Sequence, residues 1–340
     1  MALFSRKRIL LAKLEEFDST NPSTTGYGKS EALDGSDAIL VRSLDITPIE
    51  SDVVSRDLIR PYYGTSDQLL ANTRVTCTFE VELAGSGNSS NLVPRYDSVL
   101  RACGMNRVSG TTSATSNGVT DATATAEIYS PISTFDDVDG QGNSVTLIYN
   151  LDGVQHKVVG ARGTVTVQAQ VGQLPVLQFQ LTGIYSNPTD VSAATPVYAA
   201  QADPLIFKQG NTSDFSFFGF SDAKLSSLTL NVANQIVYRE LIGTDSKEVL
   251  ITDRAPSGDV VIEAVKTSSK NFFETALGSS TGVLKFQHGQ TPGNRVQLAA
   301  NRCDIGNPSY SDEDGITMLN LPYVALPSSS GNDDFELIYS

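Results

Sequence analysis

The clearest pattern in the chain is a strict alternation of apolar and polar residues. It runs through residues 75–83, where every odd position is apolar and every even position is polar. The pattern returns in residues 165–171 and 177–181, which are separated by a turn at residues 172–175. A period of two predicts strands with one face on a core and one in water, and the turn predicts a hairpin. The pattern therefore predicts a mainly β fold built from antiparallel sheets.

The polar side of these strands carries no lysine or arginine. It is made up of Thr76, Thr78, Glu80, Glu82, Thr166, Gln168, Gln170, Gln178 and Gln180. Less regular strands of the second half add Glu263, Gln297 and Asn320. One interpretation is a solvated outer sheet face. The other is the inside of a pore through which a polyanion slides, because carboxylates repel phosphate and no cation is present to hold it.

Few segments have a helical pattern. A short amphipathic helix is predicted at residues 8–17, a second at 96–103 ending before Gly104, and a third at 270–277 ending before Gly278. One helix on the dry face of each antiparallel sheet would complete a two-layer packing. Residues 105–125 are rich in Ser, Thr, Ala and Gly and predict a long exposed loop.

The chain contains an internal repeat. Residues 43–46 and 54–59 return as residues 227–230 and 237–242, and the later strands and helices follow in the same order. Each copy exceeds 100 residues, which predicts two domains rather than a solenoid. The predicted organisation is an N-terminal arm with the short helix (1–40), a first domain (41–190), a linker or packing segment (191–224) and a second domain (225–340).

Each copy also has a loop between its first two strands with residues typical of contact surfaces. These candidates are Arg60, Tyr62, Tyr63 and Asp67 in the first copy, and Asp245, Lys247 and Glu248 in the second. Exposed Arg and Tyr are enriched at interface hot spots. The alternative is an ordinary surface loop.

Composition and charge narrow the function classes. The chain has 340 residues, 40% hydrophobic and 18% charged, with a formal net charge of −14. That charge argues against gripping a nucleic-acid backbone, and no stretch is apolar enough for a membrane span. The start has no secretory signal pattern. The three cysteines lack the spacing of a metal site, so we expect them to be reduced and buried in the core of a protein made in a reducing cytoplasm.

No residue constellation predicts catalysis. The two histidines, His156 and His288, each lie in a turn-like context without a second metal-ligand residue at the required spacing. There is no phosphate-binding glycine loop and no nucleophile elbow. We therefore expect no catalytic residue, no metal and no cofactor.

Several segments resemble the tail tube proteins of long-tailed, siphophage-like bacterial viruses. They are residues 153–165, 177–190, 96–104 and 305–323. The resemblance extends over most of residues 40–340 and consists of structural signatures rather than catalytic fingerprints. It implies packed antiparallel sheets with a flanking short helix, which join between neighbouring subunits into a closed β-barrel ring.

The resemblance also implies a structural role in the virion tail. Rings stack into a tube that holds a tape-measure protein and later conducts DNA without binding it specifically. Most members have one domain and form hexameric rings, so two copies per chain imply a pseudo-hexameric ring of three subunits. The polar strand faces would line the lumen and the two loops would contact the next ring. Further implied partners are a tail terminator and distal tail proteins, and no membrane.

Three other functions remain open from the residues. A tail terminator or distal adaptor would use the same sheets but form a single ring. A secreted β-sandwich adhesin or binding module would normally carry a signal and exposed Trp, and the chain has no Trp. An outer-membrane porin would need apolar lipid-facing bands with aromatic girdles, which the strands lack.

Overall fold

The fold consists mostly of strands that pair antiparallel, as the alternation predicts. The computed structural model describes residues 3–56, 58–111, 125–135, 142–198, 201–243 and 247–340. The strands are β1 (Arg8–Leu14), β2 (Ala38–Ile39), β3 (Ser43–Ser55), β4 (Gln68–Glu82), β5 (Met105–Thr111), β6 (Thr125–Pro131), β7 (Val145–Leu151), β8 (Val154–Gln170), β9 (Val176–Tyr185), β10 (Thr189–Asp190), β11 (Thr212–Phe217), β12 (Leu225–Asn231), β13 (Asn234–Glu240), β14 (Lys247–Arg254), β15 (Ser257–Glu263), β16 (Gly282–His288), β17 (Val296–Ile305), β18 (Ser309–Glu313), β19 (Ile316–Ala325) and β20 (Glu336–Tyr339). The helices are α1 (Asp97–Ala102) and α2 (Phe272–Leu277), and a 3-10 turn spans Gly35–Asp37.

Two of the three predicted helices are confirmed. Both α1 and α2 have six residues and follow the predicted strands β4 and β15. The chain leaves α1 through Gly104, whose φ of 76° suits glycine. After α2 the positive φ of 48° falls on Ser279, one residue beyond the predicted Gly278.

The predicted N-terminal helix is wrong. Residues Arg8–Leu14 form β1, which pairs with β7 along its whole length from Arg8 opposite Leu151 to Leu14 opposite Val145. Leu10, Leu11 and Leu14 are all buried. A strand covered on both faces has an almost continuous apolar run, which local periodicity does not distinguish from a short helix.

The exposed loop predicted at residues 105–125 is also wrong at its start. Residues Met105–Thr111 form β5, which pairs with β6. Residues 112–124 lie outside the described part of the chain.

The main sheet runs across both halves of the sequence. Its strands follow the order β3-β4-β9-β8-β12-β15-β19-β18, with every neighbouring pair antiparallel. The joint between the halves is β8 with β12, where Val167 lies opposite Leu230. A second layer has the order β11-β16-β17-β20-β6-β5. Strand β17 also pairs with β19, so the two layers are continuous there.

Aromatic side chains fill the space between the layers. Tyr96 precedes α1, and its ring lies 6.5 Å from Phe179 on β9 and 6.1 Å from Tyr339 on β20. The hydroxyl oxygens of Tyr96 and Tyr339 are 3.0 Å apart, and Tyr96 also donates to the Ala84 carbonyl at 2.8 Å. Buried phenols need such partners, because an unpaired buried hydroxyl is costly. The core therefore links both layers through a hydrogen-bonded aromatic cluster.

All three cysteines are free and buried, as the sequence predicts. Burial raises the pKa of the Cys77 and Cys303 thiols to about 12, and it raises that of Cys103 as well. Only the thiolate reacts with alkylating reagents.

We therefore expect the folded chain to resist iodoacetamide at neutral pH. A rise in pKa from 9.0 to about 12 leaves roughly a thousandfold less thiolate, and burial blocks access further. Mass spectrometry should find three alkylated cysteines only after denaturation. Rapid labelling of the native chain would show that a thiol is accessible.

Candidate functional site

The sequence-predicted polar positions gather on one face of the main sheet. Successive cross-strand neighbours on this face run Ser43–Glu80–Gln178–Thr166 and continue across the joint to Asn231 and Ser257. A second row runs Gln170–Ser227–Val261–Asn320. The polar face is defined here by Thr76, Thr78, Glu80, Glu82, Thr166, Gln168, Gln170, Gln178, Gln180, Glu263 and Asn320, all half-buried or exposed.

Gln297 does not belong to this face, so that prediction is wrong. It lies on β17 in the second layer, is only 3% exposed, and donates to the Gln287 side chain at 2.7 Å. Strand β17 lies between β16 and β20, and its alternation reflects a buried amide pair instead of a wet face.

Sequence reasoning missed several members of the polar face. Ser227, Thr229 and Asn231 on β12 lie opposite Gln170, Gln168 and Thr166. Their alternation with Leu228 and Leu230 is a strand signal that could have placed them there. Lys224 was also missed: its Nζ lies 2.8 Å from Glu263 at the rim of the face, so a local ion pair partly neutralises that carboxylate.

The two halves of the main sheet repeat the same cross-strand registry. Ser43 lies opposite Glu80, Glu80 opposite Gln178, and Gln178 opposite Thr166. In the second half, the corresponding row is Ser227, Val261, Asn320 and Ser309. This row therefore passes through β3-β4-β9-β8 in the first half and through β12-β15-β19-β18 in the second.

A hairpin extends from each half with the same registry. The first hairpin is the outer part of β3–β4, residues 50–55 with 68–74, and the second hairpin is β13–β14. Val54 lies opposite Leu69 in the first, and Val237 lies opposite Leu250 in the second.

Each hairpin also has a cross-strand ion pair just beyond these residues, at the same place in both. Arg56 lies 3.0 Å from Asp67, and Arg239 lies 3.0 Å from Glu248. Both pairs are near the surface and contribute little energy, so their shared position matters more than their strength.

The hairpin ends expose large apolar side chains. Ile59 is 104% exposed in the first and Ile242 is 108% exposed in the second. Of the predicted contact residues, Tyr62 and Tyr63 are exposed, and the Arg60 guanidinium lies 6.0 Å from the Tyr62 ring. Lys247 pairs with Glu240 at 3.2 Å across the second hairpin. Asp245 lies outside the described residues.

A cleft of about 440 Å³ separates the first hairpin from β13. Its walls include Glu50, Arg74 and Tyr238. Hydrogen bonds from Thr76 and Arg74 hold the pKa of Glu50 below its usual value. Burial raises the pKa of Tyr238 to about 12, so the phenol stays protonated at neutral pH. The second hairpin therefore lies beside the first across this cleft.

The main sheet has two open edges. In the part of the chain that the structure describes, β3 pairs only with β4 and β18 pairs only with β19. Next to the β18 edge, Tyr310 is 61% exposed and its ring lies 5.6 Å from Phe273 on α2. Unpaired edges are templates for pairing with another chain.

The described residues contain no group of three or more His, Cys, Asp or Glu that could hold a metal ion. Within the same ranges, no helix has the length and apolar character needed to cross a membrane.

Comparison with known proteins identifies the family. Residues 5–325 of the chain match the family described as phage tail tube protein. No individual curated protein matches at a significant level. The match spans nearly the whole chain, including both halves of the main sheet and both hairpins. The chain therefore belongs to the phage tail tube protein family, whose members are structural components of the virion tail.

Proposed function

We propose that the chain forms the tail tube from rings of three subunits, each supplying two equivalent tube modules. The equivalent registry of the two half-sheets supports this duplication. Three chains with two modules each give the pseudo-hexameric ring that the family resemblance implies. A head-to-tail contact that closes on itself produces a ring and removes the open strand edges.

The observation that carries the proposal is the joint between β8 and β12. It pairs the last strand of the first half-sheet with the first strand of the second. Strand β18 is the last strand of the second half-sheet, and β3 of the next chain is the first strand of that chain's first half-sheet. The same contact between subunits would therefore pair β18 with β3 of a neighbour.

The internal joint also sets the registry of this contact. Gln168 lies opposite Thr229, and Val167 lies opposite Leu230. Their counterparts are Ser311 and Tyr310 on β18, and Asp45 and Ile46 on β3. We expect Ser311 to face Asp45 of the neighbour, and Tyr310 to face its Ile46.

In such a ring the polar face lines the lumen. Its members are hydroxyls, amides and carboxylates, among them Glu80 and Glu82. A surface with this chemistry repels phosphate and has few cations to hold it, which keeps friction low for passing DNA. The same lumen would hold the tape-measure protein during assembly.

Ring stacking is assigned to the hairpin ends. Ile59 and Ile242 are fully exposed, and exposed apolar groups next to Arg and Tyr suit a protein contact. The predicted contact residues are Arg60, Tyr62, Tyr63, Asp67, Asp245, Lys247 and Glu248. Tail terminator and distal tail proteins would contact the corresponding surfaces at the two tube ends.

A designed disulfide tests the joint. Asp45→Cys with Ser311→Cys should link separate chains under mild oxidation, giving a covalent ladder that ends at three chains. The matched control is Gln168→Cys with Thr229→Cys, the equivalent pair within one chain. This pair should form its disulfide while the product remains a single chain. A control that links while the test pair stays monomeric would contradict the proposed joint.

A further inference from the structure

The ends of the two helices differ sharply in how they are covered. At the end of α1, Ala102 and Cys103 are 0% exposed. At the equivalent end of α2, Leu277 is 90% exposed. Phe273 lies one turn before Leu277 and packs against Tyr310, so an apolar patch continues from the helix end to the open β18 edge. This α2 patch consists of Phe273, Leu277 and Tyr310.

The second hairpin is what covers the end of α1. A Cβ added to Gly104 would lie 3.3 Å from Ile251 Cδ1, so the isoleucine packs directly on that turn. Asn234 donates to the Cys103 carbonyl at 2.6 Å. The Val249 carbonyl, two residues before Ile251, accepts from the Arg162 guanidinium at 2.9 Å. The base of the second hairpin is thus fixed to the first module while its end stays free.

The first hairpin has a residue equivalent to Ile251, but within the described part of the chain this residue packs on no helix end. Ile251 lies opposite Ile236, and the equivalent pair in the first hairpin is Leu70 opposite Val53. Leu70 is 61% exposed and Val53 is 54% exposed. Each chain therefore has an exposed helix end at α2 and an exposed base on its first hairpin.

We propose that the α2 patch is the seat for the first hairpin of a neighbouring copy of this chain. Leu70 of the neighbour packs on the turn at Ser279, the counterpart of Gly104, as Ile251 packs within the chain. This inference rests on the proposed ring and adds a second contact to it, separate from strand pairing. The contact fixes the base of the first hairpin and leaves the residues near Ile59 free to reach the next ring.

A disulfide between Leu70→Cys and Ser279→Cys tests the seat in assembled material. The three native thiols are buried and do not interfere. The matched control is Leu69→Cys with Ser279→Cys, because neighbouring strand residues point to opposite faces. We expect the Leu70 pair to link separate chains with at least tenfold more product than the Leu69 pair.

The yield of inter-chain disulfide is compared with that of the Asp45→Cys and Ser311→Cys pair. If that pair links chains while the Leu70 and Leu69 pairs give equal yields, the seat is refuted and the proposed ring is not. If neither joint nor seat links chains, both proposals fail.

A second variant tests the seat without cysteines. Leu277→Ser removes an exposed side chain that the ring would bury, so the folded monomer should be unaffected. The concentration needed for assembly should rise about tenfold or more. Ile206→Ser, which replaces an apolar residue of 44% exposure outside the patch, should leave it unchanged. An unchanged concentration for Leu277→Ser would also count against the seat.

Discussion

Replacing Tyr310 by aspartate should abolish ring formation and leave the folded monomer intact. The side chain is 61% exposed in the isolated chain, so its loss opens no core. In the proposed joint it takes the position of Val167, which is 3% exposed, and would face Ile46 of the neighbour. Burying a carboxylate there costs at least about 3 kcal/mol for each joint, which weakens association more than a hundredfold.

Light scattering over a concentration series measures this effect, and thermal unfolding checks the monomer. Tyr310→Phe is the matched control and should assemble like the parent chain, because the aromatic side chain is kept and only its hydroxyl is lost. Normal assembly of Tyr310→Asp would show that β18 is not a subunit joint.

Reversing two lumen charges should slow DNA delivery without preventing tube assembly. In Glu80→Lys with Glu82→Lys, each subunit would present two cations where the polar face has carboxylates. Cations in a narrow channel attract phosphate, and every ring repeats them along the path of the DNA. We expect ejection from such particles to be at least about tenfold slower at low salt, with partial recovery as added salt screens the attraction.

The control for this prediction is Glu80→Gln with Glu82→Gln, which removes the carboxylates without adding cations. Its tubes should eject DNA at close to the normal rate. Ejection kinetics are followed by the fluorescence of a DNA-binding dye after triggering. If the lysine variant ejects at the normal rate, the polar face does not line the lumen.

The local sequence predicts a strand correctly where one face of that strand is buried and the other is exposed, as its alternation of apolar and polar residues indicates. The alternation in β4, β8 and β9 identifies strands and their wet side, because one face of each packs on the core and the other meets water. The prediction fails where packing covers both faces. Thus β1 is a strand where the local pattern predicts a helix, and the Gln297 amide pairs with Gln287 in the second layer where the pattern predicts a wet face.

The candidate site was partly predictable for the same reason. The repeat in the sequence identifies equivalent segments, but it does not say that β8 and β12 pair or that β3 and β18 remain open. That information comes from long-range strand pairing, which depends on the whole chain. Likewise, the sequence does not distinguish Leu277 from other helix residues. Its exposure is informative only when the end of α2 is compared with the buried end of α1.

Electron microscopy of the purified chain, with the mass of the smallest ring measured in parallel, tests the two-module ring. We expect hollow rings of three chains that stack into tubes, with pseudo-six-fold density around an open channel. Rings of three chains that never stack would indicate a terminator or distal adaptor instead. Rings of six chains, or a monomer without a channel at any concentration, would contradict the proposed two-module ring.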